Sequence, residues 1–63
     1  MPSPVKYSEV KRMLERRGWT LARIAGSHHI FFKPGVGTFP VPVHNGKVKA
    51  YYVRQVKKIC EGD

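Results

Sequence analysis

Hydrophobic positions change their spacing twice along this chain, and the changes divide it into a helix, three strands and a second helix. Tyr7, Val10, Met13 and Leu14 recur at helical intervals, Ser8 is placed to cap the first turn, and Gly18 ends the segment. Lys11, Arg12 and Arg16 fall away from the apolar stripe, toward solvent or phosphate. From Trp19 the period becomes that of a strand, with Trp19 to Ile24 as the first, His28 to Lys33 as the second, and Gly26-Ser27 as the turn between them.

After a turn at Pro34-Gly35-Val36-Gly37, the segment Thr38 to His44 alternates strictly. Phe39, Val41 and Val43 share one face, and Pro40 and Pro42 share the other. Proline donates no hydrogen bond to a ladder, so this third strand belongs at the rim of the sheet. Asn45-Gly46 breaks the chain again, and Tyr52, Val53, Val56, Ile59 and Cys60 form a second helical stripe opposite Arg54, Lys57 and Lys58. The expected fold is α+β, in the order α-β-β-β-α. Two helices, each with one apolar stripe, cover one face of a three-stranded antiparallel sheet and leave the other face open.

Composition narrows the possibilities. Sixty-three residues supply one core, so residues 1–63 are expected to form a single domain. A hydrophobic fraction of 41% with seven aromatic residues suffices for that core. Twelve Lys and Arg against four acids give a formal charge of +8, which attracts polyanions such as nucleic acid and would also suit an acidic protein. Cys60 has no second cysteine to pair with, which fits a reducing cytoplasm. Neither a signal peptide nor a membrane-spanning run is apparent in the sequence, and a soluble cytoplasmic protein is expected.

The candidate chemistry lies in Gly26-Ser27-His28-His29. Adjacent residues on a strand point to opposite faces, so the two histidines cannot readily share a ligand, and one of them is structural or peripheral. Ile30-Phe31-Phe32 is apolar at both parities, so alternation does not assign which histidine faces inward. Gly26 permits a tight turn and close approach of a phosphate to backbone, and Ser27 can donate to a phosphate oxygen. His44 is expected at a strand end lining the same surface. His28, His44 and Cys60 match no common zinc-ligand spacing, Cys60 reads as core, and no metal or other cofactor is expected.

The Gly18-Trp19 pair, Leu21, Arg23, the run Gly26-Ser27-His28-His29-Ile30-Phe31, the Val-Pro-Val-His strand and the basic closing helix together resemble the HicA toxins of bacterial toxin–antitoxin pairs. Asn45 stands where that family often has proline, and Ala50-Tyr51 where it often has Gly-Thr. The resemblance implies a fold like a double-stranded-RNA-binding domain, cleavage of mRNA with His28 as the catalytic residue, and neutralisation by a HicB-type antitoxin. RNA carries its own nucleophile, so such cleavage needs a base, an acid and nearby cations but no metal. For contact with RNA the sequence offers Gly26, Ser27, Arg23, Lys33, Lys47, Lys49, Arg54, Lys57 and Lys58, the cations gripping backbone and 2′-OH as double-stranded-RNA-binding domains do. Two other readings fit the same residues: a non-catalytic RNA-binding module, or a protein-interaction module centred on Tyr51 and Phe31.

Overall fold

A computed structural model describes residues 3–61. Its elements are β1 (Val5–Lys6), α1 (Tyr7–Arg16), β2 (Thr20–Ala25), β3 (His28–Lys33), β4 (Gly37–Pro42), β5 (Lys47–Val48) and α2 (Ala50–Glu61). Strands β2, β3 and β4 form an antiparallel sheet in that order, with β3 central. The two helices and the three-stranded sheet are those expected from the hydrophobic pattern, with strand ends displaced by one or two residues. The pattern did not predict β1 and β5, which pair through Val5 with Val48 and Lys6 with Lys47.

The start of α1 differs from expectation. Ser8 lies inside the helix, and Lys6 occupies the cap position without a side-chain hydrogen bond. A helix leaves its first N–H groups unpaired, and here Tyr7 N–H donates to the Gly46 carbonyl at 2.8 Å. A tertiary contact therefore does what the serine hydroxyl was expected to do. Its acceptor sits in the Asn45-Gly46 turn, where both residues have positive φ, 53° and 74°. That is the signature of a type I′ hairpin turn.

The end of α1 follows its sequence signal. Gly18 adopts φ +90° and its N–H donates to Glu15, while Trp19 N–H reaches back to Leu14 at 3.0 Å. These two bonds make a Schellman motif, in which glycine relieves the clash that a side chain would meet in the left-handed region. The motif also directs Trp19 back into the core.

That core contains Val10 and Leu14 from α1, Val53, Val56 and Cys60 from α2, and Trp19, Phe31, Val41 and Val48. Because Phe31 is fully buried, alternation along β3 turns His29 toward the helices and His28, Ile30 and Phe32 toward the open face. At the rim, Val43 N–H donates to the Ser27 carbonyl at 2.8 Å. Ladder alternation then turns residues 39 and 41 inward too, leaving Pro40 and Pro42 to face the free edge. An edge strand that lacks two successive outward donors is poorly suited to pairing with another chain. No helix among the described residues is long and apolar enough to cross a membrane.

Candidate functional site on the open sheet face

His28 is the first residue of β3 and is exposed. Gly26 ahead of it takes φ +62° while Ser27 keeps a negative φ, the pattern of a type II′ turn with glycine first. A Cβ at Gly26 would meet nothing within 4 Å, so its constraint is backbone conformation and not crowding. The turn holds His28 opposite Ala25 on one side and Pro42 on the other. Both neighbours are short, which leaves the imidazole accessible.

The next residue has the opposite environment. His29 packs its ring 4.4 Å from that of Tyr7, and Tyr7 lies 6.4 Å from Phe31. His29 Nδ1 and Tyr7 Oη are both buried with no hydrogen-bond partner among the described residues. Burial raises the Tyr7 phenol above its ordinary value of 10.0, with a further push from the Glu15 carboxylate. The folded chain thus holds this proton more tightly than the unfolded chain. Its contribution to stability is intact below about pH 10 and lost as pH rises through the folded value. Tyr7→Phe removes a polar atom that makes no bond, so stability at pH ~7 is expected to be unchanged or higher and the alkaline loss smaller. Urea unfolding at neutral and alkaline pH checks both parts.

A β-bulge brings a cation to the His28 face. Leu21 pairs with Phe31, but the next pair is Arg23 with Ile30, so Ala22 is an extra residue in β2. Without it Arg23 would share the inner parity of Leu21. With it Arg23 lies on the outer face beside Ile30, diagonal to His28 at roughly 7 Å between backbone positions. The third row of the face is Thr20, Phe32 and Thr38. The acids of the chain are Glu9, Glu15, Glu61 and Asp63, so no carboxylate arises from β2, β3 or β4.

The remaining sequence-nominated cations do not gather at His28. Lys33 ends β3 on the parity opposite to His28, with its stem near Gly18. Lys47 and Lys49 line an open cleft of about 430 Å³ together with His44 and Asn45. Arg54 and Lys57 line a cleft of about 270 Å³ beside α2, and Lys57 with Arg12 and Arg16 lines another of about 380 Å³ between the helices. No residue of the three-stranded sheet lines either of these two. Lys58 is exposed on α2. These cations fall into separate groups, because the helices carry their charges on the layer away from the open sheet.

Two further expectations are settled by burial. Phe31 is fully buried and unavailable as the centre of a protein interface, although Tyr51 is exposed. Cys60 lies in the core, as its place on the apolar stripe implied. Sequence reasoning missed Phe32, Thr20 and Thr38 as neighbours on the His28 face. Recognising Phe31 as the core residue would have found Phe32.

A family model described as HicA toxin of bacterial toxin-antitoxin matches residues 7–61, from the first residue of α1 to the last of α2. No curated protein and no solved structure matches the chain significantly. With the family match spanning both helices and the whole sheet, the chain belongs to the HicA toxin family of bacterial toxin–antitoxin systems.

Proposed function

We propose that this protein is an endoribonuclease that cleaves mRNA by using His28, and that a HicB-type antitoxin restrains it. Family membership supplies the toxin role. The observation that carries the chemistry is an exposed imidazole at a tight turn, on a sheet face free of carboxylates and diagonal to Arg23.

The neutral imidazole takes the proton of a ribose 2′-OH, and the oxygen attacks the adjacent phosphorus. The P–O5′ bond breaks, and the departing 5′ oxygen receives a proton from the imidazolium or from water. The products are a 2′,3′-cyclic phosphate and a free 5′-hydroxyl. Arg23 stabilises the negative charge that builds on the phosphoryl oxygens. Because the nucleophile comes from the substrate, the reaction runs without a metal ion.

Replacing the 2′-OH at every position of an RNA by 2′-O-methyl is expected to abolish cleavage, and EDTA to leave cleavage of ordinary RNA intact. End-group analysis of the fragments completes the test. A 5′-phosphate product would reject this mechanism, because internal attack cannot produce it.

A further inference from the structure

Phe32 is an unusual residue to find on a solvated sheet face. It is 42% exposed, two rows from His28 on the same side of β3, and flanked across the strands by Thr20 and Thr38. The Thr20 hydroxyl lies 3.4 Å from the Phe32 carbonyl. Between Phe32 and His28 lies the row of Arg23, Ile30 and Pro40. The face therefore carries, in sequence, an imidazole, a cation over an apolar floor, and an aromatic ring between two hydroxyls.

We infer that this face binds single-stranded RNA, with an unpaired base stacked on Phe32. The inference rests on the ribonuclease reading of His28 and adds the substrate class and the residue that positions it. An exposed aromatic ring beside cations is a platform for unpaired bases, which offer a π-face whatever their sequence. A duplex keeps its bases inside and is gripped through backbone and 2′-OH, so it has no use for the ring. Charge favours RNA over an acidic polypeptide here only in combination with the ring: the face has one Arg and no carboxylate, and its large exposed apolar group is aromatic.

His28 and Phe32 are four residue steps apart along the strand, about 14 Å at ~3.4 Å per residue. A stacked strand advances ~3.4 Å per nucleotide, so the base on Phe32 lies within about four nucleotides of the bond at His28. A single strand laid along β3 would thus be held at one end by stacking and cut at the other.

The test uses the intact chain and a fluorescein-labelled 12-nucleotide 2′-O-methyl RNA, which has no 2′-OH to attack. Binding by fluorescence anisotropy is then independent of cleavage. The single strand is expected to bind more tightly than its duplex, and Phe32→Ala to weaken single-strand binding about tenfold or more. Phe32→Trp should restore it. With 2-aminopurine placed along the strand, fluorescence should be quenched at one position by the parent chain and not by Phe32→Ala.

Equal binding by parent and Phe32→Ala would overturn the inference, as would preference for the duplex or binding of neither RNA. Loss of antitoxin capture by Phe32→Ala without loss of RNA binding would reassign the ring to a protein interface and also overturn it. Circular dichroism of each variant verifies folding. Cleavage that persists in His28→Ala would reject the catalytic reading while leaving the anisotropy result to stand alone.

Discussion

Replacing His28 by alanine is expected to lower RNA cleavage by about 10²–10⁴-fold, the usual contribution of one positioned acid–base group. The fold should survive. His28 is exposed, its cross-strand neighbours are Ala25 and Pro42, and the backbone bond that anchors the turn runs between Ser27 and Val43. A surface change of this kind moves stability by no more than about 0.5 kcal/mol. His29→Ala is the informative control, because His29 packs on Tyr7 behind the sheet and its loss should show in stability and not in chemistry. Gel assays on long RNA, with circular dichroism and urea unfolding alongside, read both quantities. A folded His28→Ala chain that cleaves at the parent rate would remove the proposed mechanism.

The second large effect concerns the adjacent phenylalanines. Phe31→Ala is expected to cost about 3–5 kcal/mol, because it deletes a fully buried ring at the centre of the middle strand and leaves a cavity against Leu21 and Phe39. A domain this small has roughly 5 kcal/mol or less to lose. The variant should therefore be largely unfolded at room temperature, with a weak far-ultraviolet signal and no cooperative urea transition. Phe32→Ala, one residue along, should unfold within about 1 kcal/mol of the parent because much of its ring already meets water. Similar losses at both positions would contradict the assignment of inner and outer faces, and with it the exposure of His28.

The same parity explains why the two neighbouring histidines differ. His28 faces solvent and His29 faces Tyr7 because Phe31 is the ring that enters the core. Most of the fold was legible because its signals are local. Helical spacing, the Gly18 stop, the Gly26-Ser27 turn and the prolines of β4 each act through the backbone of a few residues. Those devices set the order of elements and placed β4 at the rim.

By itself, then, the sequence determined the succession of helices, turns and strands and marked Gly26-Ser27-His28 as the chemically distinctive run. Tertiary structure alone decided which side of β3 meets the helices, since an apolar run at both parities can bury either face until the helix stripes select one. It also decided the Ala22 bulge that turns Arg23 toward His28, the short β1–β5 pairing that caps α1 through Gly46, and the separation of the helix cations from the open sheet. Each of these depends on which backbone lies opposite which, a quantity fixed by long-range pairing and absent from any local window.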